Sequence, residues 1–241
     1  MADVAHATYL FDPLCGWCYG AAPVLERLAA DAALAITYLP TGLFAGSGAR
    51  AMDTAFAAYA WRNDERIAEM TGQPFSAAYR DRVLGVPGWF DSGPATLALT
   101  AVAQTAADRE AEALRAIQAA RFVEGHDVTD LAVLIETLRG LDLAEAADRL
   151  ARPDDALRTA CAARVQQGQA AMRRFGANGV PAMLAGSGEV CRLLPADALF
   201  GDAGALAAAL KAAMGARFPG LGMGVALDIG SKGATGEMQR G

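Results

Sequence analysis

Two cysteines separated by two residues, Cys15-Gly16-Trp17-Cys18, are the part of this sequence best equipped for chemistry. A short apolar and aromatic run, Tyr9-Leu10-Phe11, precedes them. A run with helical spacing, Val24, Leu25, Leu28 and Ala29, follows. The pair therefore falls where a strand turns into a helix. That spacing at a helix start brings the two sulfurs within bonding reach. It also sets the first thiol beside backbone N–H groups with no intrahelical partner, at the positive end of the helix dipole. A free cysteine has a pKa of about 8.5, and sites of this kind lower it to roughly 3.5–7.5. The thiolate is the form that attacks disulfides, so the expected chemistry is thiol–disulfide exchange. Cys15 is expected to be the exposed nucleophile, and Cys18, one turn further in, the buried thiol that resolves the mixed disulfide.

The same spacing is also half of a zinc site. Zinc needs four ligands, usually as two such pairs or as two cysteines and two histidines. The other cysteines, Cys161 and Cys191, are single and far apart, and the histidines are His6 and His126. No second half-site exists, and no metal is expected. Cys161 and Cys191 read as buried, reduced thiols. A second redox pair would need their Cα atoms to lie within about 7 Å of each other.

The elements that must hold this dithiol can be followed along the chain. Its 241 residues, 54% of them hydrophobic, suffice for one domain with an insertion or for two small ones. The formal charge of −6 argues against a nucleic-acid partner. No apolar run reaches the length of a membrane span. The start, Met1 to His6, has no basic segment followed by an apolar one, so a cytoplasmic location is expected. In that compartment disulfides are more often catalytic than structural.

Residues 7–12 read as a strand, 16–31 as a helix kinked by Pro23, and 34–39 as a second strand. The glycine-rich stretch 41–48 reads as a connector, because it lacks the lysine of a phosphate loop. From 49 to 150 the period is helical, with helices expected at 52–70, 75–84, 93–107, 109–123, 128–139 and 143–150 and no strand among them. Ser92 is a candidate cap for the third of these, and Asp127 or Thr129 for the fifth. Arg62-Asn63-Asp64-Glu65-Arg66 reads as a solvated helix face. A long helix over 154–175 leads to strands at 180–185 and 190–194, joined by a tight turn at Gly186-Ser187-Gly188-Glu189. A last helix is expected at 196–213, followed by a glycine-rich tail, 215–241.

The wording Phe11-Asp12-Pro13-Leu14-Cys15-Gly16-Trp17-Cys18-Tyr19-Gly20-Ala21-Ala22-Pro23 resembles the DsbA-related thiol–disulfide oxidoreductases, in particular their FrnE-like branch. A second signature of that family, a cis-proline that faces the cysteines, is matched by Gly179-Val180-Pro181-Ala182-Met183-Leu184. The resemblance implies an α/β, thioredoxin-like fold with an inserted all-helical domain. Residues 1–48 and 151–214 would form the thioredoxin-like part and 49–150 the insertion. It implies that Cys15 and Cys18 are catalytic, that the Val180 backbone pairs with an extended substrate beside Pro181, and that an exposed Trp17 contacts substrate. The family's buried acid, six residues before the first cysteine, is replaced here by Tyr9. Asp12 is the nearest acid and either takes over proton transfer or caps the turn.

No cofactor is implied beyond the dithiol itself, with glutathione as a co-substrate of the family. Partners would be protein or small-molecule thiols and disulfides, with no nucleic acid and no membrane. The Gly16-Trp17 dipeptide lacks the histidine that accompanies strong oxidants, which leaves reductase, isomerase and oxidase open. Two rival readings stand beside this one. The first is a glutathione-dependent enzyme of the kappa-class transferase or 2-hydroxychromene-2-carboxylate isomerase kind, whose members usually carry serine at the first cysteine position. The second is a peptide-binding module with an idle dithiol. The oligomeric state stays open.

Overall fold

The computed structural model describes residues 4–187 and 190–215. The chain opens with strand β1 (Ala5–Phe11), helices α1 (Gly16–Gly20) and α2 (Ala22–Ala29), and strand β2 (Leu34–Pro40). Next come β3 (Arg50–Met52), α3 (Thr54–Thr71), the short α4 (Ala77–Tyr79) running into a π-helical turn at Arg80–Leu84, and β4 (Gly88–Phe90). Helices α5 (Gly93–Thr105), α6 (Glu110–Phe122), α7 (Leu131–Gly140), α8 (Ala144–Ala151) and the long α9 (Asp155–Phe175) follow. Strands β5 (Ala182–Ser187) and β6 (Val190–Leu193) and helix α10 (Ala203–Gly215) complete it.

The main sheet has the order β2-β1-β5-β6, with β2 parallel to β1 and the other two pairings antiparallel. Central strand β1 is covered on both faces, which is why Tyr9, Leu10 and Phe11 are an unbroken apolar run rather than an alternating one. Alternation decides which layer each residue meets. Ala5, Ala7, Tyr9 and Phe11 join the large core with Leu25 and Leu28 of α2 and Leu206 and Leu210 of α10. Leu10 points the other way, with Ala182 and Leu184, toward Met172 and Phe175 of α9. Parallel strands need a crossover, and α1 and α2 supply it between β1 and β2.

Helix α9 lies against β2 through Gly168. A Cβ there would stand 2.3 Å from the carbonyl oxygen of Pro40. Arg164, one turn earlier, fastens the same crossing: it donates to the Tyr38 carbonyl at 2.9 Å and pairs with the buried Glu110 of α6. On the other side of the sheet, α3 crosses α1 over two glycines four residues apart. A Cβ at Gly16 would meet Asp64 Oδ1 at 2.4 Å, and one at Gly20 would meet Ile67 Cγ2 at 2.7 Å.

Several expectations need correction. Residues 49–150 are not free of strands: β3 and β4 pair antiparallel, three residues each, too short to carry a period. The first helix breaks at Ala21 rather than bending at Pro23, and Pro23 sits in the first turn of α2, where its missing N–H has no intrahelical bond to lose. The helix expected from 128 starts at Leu131 with Asp130 as its cap, while Asp127 closes a turn onto Thr129. The last helix is two pieces, a 3₁₀ segment at Ala196–Phe200 and then α10, at whose start the Asp202 side chain accepts from Ala205 N–H. Residues 188 and 189 of the tight turn, and the tail beyond 215, lie outside the described residues.

Candidate active site

Cys15 occupies the N-cap position of α1. Its backbone is extended, at φ −77° and ψ 118°, and its carbonyl accepts the first helical bond, from Tyr19 N–H at 3.0 Å. Its side chain makes no capping hydrogen bond, so the sulfur is not tied to its own helix. It points across the molecule: Sγ lies 3.7 Å from the carbonyl oxygen of Val180. The Val180–Pro181 peptide bond is cis, as the resemblance implied. Pro181 is buried and Val180 half-buried.

The expectation of an exposed Cys15 is corrected. Only 6% of the residue is accessible, because α3 packs over the head of α1 and the Val180 loop closes the remaining side. Cys15 lines a cavity of about 190 Å³ together with Gly16, Trp17, Asp64, Tyr79 and Phe90. Cys18 is 1% exposed, as expected for the inner thiol. Burial holds its thiol well above the usual range. The Cys15 sulfur, within hydrogen-bonding reach, adds to this both through that bond and through its charge.

Trp17 is half-buried rather than exposed. Its ring meets Phe200 edge-on at 5.5 Å, and the Arg66 guanidinium lies over it at 5.8 Å. Trp17 also borders a second cavity, about 520 Å³, with Val180, Pro181, Leu194 and Phe200. The indole thus stands between two spaces, one running toward α3 and one toward the proline loop.

Asp12 is wholly buried and accepts three hydrogen bonds: from Leu14 N–H at 3.0 Å, Phe44 N–H at 3.1 Å and Ser92 Oγ–H at 2.7 Å. It caps the turn before the cysteines, and it also joins that turn to the glycine-rich loop and to the start of α5. Ser92 spends its hydroxyl on Asp12 rather than on its own helix, which corrects its reading as a cap. Burial raises the Asp12 carboxyl above its ordinary range, and the three donors only partly oppose this. The charge of Asp12 in turn adds a little to what holds the Cys18 thiol up. Tyr9, in the position of the family's acid, donates to the Cys18 carbonyl at 3.3 Å, and burial pushes its phenol upward.

Asp64 is the residue that sequence reasoning missed. It belongs to a run of charges, yet it is 5% exposed, while Arg62, Glu65 and Arg66 around it face solvent. The signal was present in the spacing: Asp64 shares a helix face with Ala57, Ala60 and Ile67. Its Oδ2 accepts from the Tyr79 hydroxyl at 3.0 Å. The Arg121 guanidinium, also buried, lies over the rings of Tyr79 at 5.4 Å, Phe90 at 5.2 Å and Phe122 at 5.8 Å.

The four cysteines are thiols. Cys161 and Cys191 are half-buried rather than buried, and they sit in different layers. Cys161 is on α9 beside Thr100, and Cys191 is on β6 against the smaller core cluster of Leu10, Ala182 and Leu184.

This geometry has relatives. Among solved structures, the cytosolic disulfide reductase DsbM from Pseudomonas aeruginosa is 31% identical, with a TM-score of 0.72, and the match covers 87% of this chain and 98% of that one. The structure of the same protein with GSH gives 30% identity, a TM-score of 0.73 and the same coverage. A probable DsbA oxidoreductase from Streptomyces coelicolor, 22% identical at a TM-score of 0.60 over 89% of this chain and 92% of its own, shares the fold. No curated protein matches the chain. The family model described as DSBA-like thioredoxin domain matches residues 8–207. With strand, dithiol, helix and cis-proline in place around one sulfur, the chain belongs to the family of DSBA-like thioredoxin domains.

Proposed function

We propose that this protein is a thiol–disulfide oxidoreductase that reduces disulfides through Cys15 and Cys18 and is itself recharged by glutathione. The observation that carries the reading is the placement of the Cys15 sulfur at the head of α1, with Cys18 beneath it and the Val180 carbonyl against it. The relative that is a cytosolic disulfide reductase, and its structure with GSH, support the direction and the co-substrate.

In the forward step the Cys15 thiolate attacks one sulfur of a substrate disulfide. The other sulfur leaves with the bonding electron pair and takes up a proton. Cys18 then attacks Cys15, releasing the second substrate thiol and closing the Cys15–Cys18 disulfide. The electrostatics suit this order. Two of the influences that hold the Cys18 thiol up come from the Cys15 sulfur. Once Cys15 is in a mixed disulfide its charge is gone, so Cys18 ionises more readily when it must act. Asp12, electrostatically coupled to Cys18, is the acid we assign to receive that proton. Trp17, Val180 and Pro181 form the rim on which substrate lies. The Val180 backbone, whose carbonyl meets the Cys15 sulfur, suits an extended chain once that sulfur has reacted.

The test is reduction of a mixed glutathione–peptide disulfide and of insulin by the purified protein, with glutathione as the sole reductant. Turnover that depends on both cysteines is expected. A protein whose Cys15 and Cys18 neither exchange with glutathione nor reduce either substrate overturns the proposal.

A further inference from the structure

Among the described residues three carboxylates are buried: Asp12, Asp64 and Glu110. Two have evident employment, Asp12 with three donors and Glu110 with Arg164. Asp64 has the Tyr79 hydroxyl on Oδ2, while Oδ1 lies over Gly16, the residue after the nucleophile. The fit is close enough that any side chain at position 16 would collide with it, at 2.4 Å for a Cβ. Asp64 and Cys15 line the same small cavity. Burying a carboxyl merely to fasten α3 to α1 is costly, and an asparagine would accept from Tyr79 equally well.

Resting on the function proposed above, we infer that Asp64 is a positioning residue that sets the direction of electron flow, biasing the Cys15–Cys18 pair toward giving electrons. A negative charge beside a forming thiolate opposes it, as between any two like charges. The disulfide form carries no thiolate and is not penalised. An ionised Asp64 therefore destabilises the reduced protein relative to the oxidised one. This is the reverse of the strong oxidants, whose reduced form is stabilised.

The groups facing Asp64 are consistent with a titrating role. Tyr79 donates to it from α4. Arg121, packed on the Tyr79 ring from α6, draws it down. Cys15 lines the same cavity, and on α3 itself the Arg66 guanidinium is turned to Trp17. Burial outweighs the two favourable partners and raises Asp64 to about 7. The bias toward reduction thus strengthens as pH rises through neutrality.

The equilibrium to measure exchanges one Cys15–Cys18 disulfide and two glutathione thiols for two cysteine thiols and one glutathione disulfide. It is read at pH 6 and pH 8 in the full chain, for the wild type, Asp64→Asn and Asp64→Glu. At pH 8, Asp64→Asn is expected to move the constant about tenfold toward the dithiol, or about 30 mV for a two-electron couple. At pH 6, where the wild-type carboxyl is mostly protonated, the difference is expected to shrink to about threefold or less. Asp64→Glu is expected to restore most of the wild-type pH dependence. A constant unchanged by Asp64→Asn at both pH values, or shifted equally at both, overturns the inference.

A second measurement needs no variant at position 64. The carboxyl carbon resonance of Asp64, followed by NMR between pH 5 and 9, is expected to titrate at a higher pH in the reduced protein than in the oxidised one. Equal midpoints would refute the coupling. Absence of any exchange between wild-type Cys15–Cys18 and glutathione would instead refute the function proposed above, so the two failures are distinct.

Discussion

The sulfur of Cys15 and the carbonyl oxygen of Val180 stand 3.7 Å apart, although 165 positions separate the two residues in the chain. A thiol can donate weakly to that oxygen and a thiolate cannot. In the function proposed above, ionisation of Cys15 or its bonding to a substrate would release the Val180 carbonyl to accept from the substrate backbone. This one contact would then link the state of the nucleophile to the readiness of the groove. Replacing Cys15 by serine keeps a donor for Val180 but removes the reactive sulfur, so turnover should vanish while the protein stays folded. Cys18→Ser should instead accumulate mixed disulfides with glutathione at Cys15, visible as a mass increase that a reductant reverses. An unmodified Cys18→Ser protein after exposure to glutathione disulfide would contradict the assignment of roles.

Asp12 joins the turn before the cysteines to Phe44 and Ser92. Asp12→Ala leaves three donors without their acceptor in a dry site and should cost roughly 2–4 kcal/mol. Ser92→Ala removes one donor and should cost about 1 kcal/mol. Urea unfolding checks both magnitudes. Asp12→Asn keeps one accepting oxygen but sets its NH₂ against a backbone N–H, so it should cost about 1–3 kcal/mol. It should also slow the release of substrate from Cys15, measured as a longer-lived mixed disulfide in stopped-flow experiments.

Gly168 offers a test of sign. Alanine in place of glycine inside a helix ordinarily stabilises by up to about 1 kcal/mol. At Gly168 the new Cβ would lie 2.3 Å from the Pro40 carbonyl oxygen, a backbone atom of β2. Gly168→Ala should therefore destabilise by about 1–3 kcal/mol, the range for overpacking. Denaturant midpoints decide which effect wins.

Asp64 should also write itself into the pH dependence of stability. Its folded pKa of about 7 lies above the ordinary value of 3.8, so the native state holds this proton more tightly than the unfolded chain does. The stability it brings is present in full below about pH 4 and is lost as pH rises toward 7, at about 1.4 kcal/mol for each pH unit crossed. Unfolding measured from pH 4 to 8 should fall more steeply in the wild type than in Asp64→Asn. Parallel curves would show that the buried carboxyl does not titrate in this window.

The organisation around the dithiol was legible because it is local. Tyr9-Leu10-Phe11, the cysteine pair and the spacing of Val24, Leu25 and Leu28 state strand, turn and helix within a few residues of one another. Long periodic segments such as α3 and α9 were equally plain. Segments too short to show a period were not, and β3 and β4, held by their pairing with each other, fell at the edge of or between the expected helices.

What the sequence determined by itself is the chemistry on offer: two thiols at the head of a helix, and a Val-Pro dipeptide to meet them. What only the tertiary structure decided is how that chemistry is governed. Cys15 is covered because α3 and the Val180 loop converge on it, and Asp64 changes from a surface charge to a buried acid because α3 turns that face onto Gly16. Burial and charge proximity are properties of distances in space, and residues 49 and 165 positions away from Cys15 set them. The spacing of Asp64 with Ala57, Ala60 and Ile67 places it on an apolar helix face, but no local pattern says which distant residues that face meets.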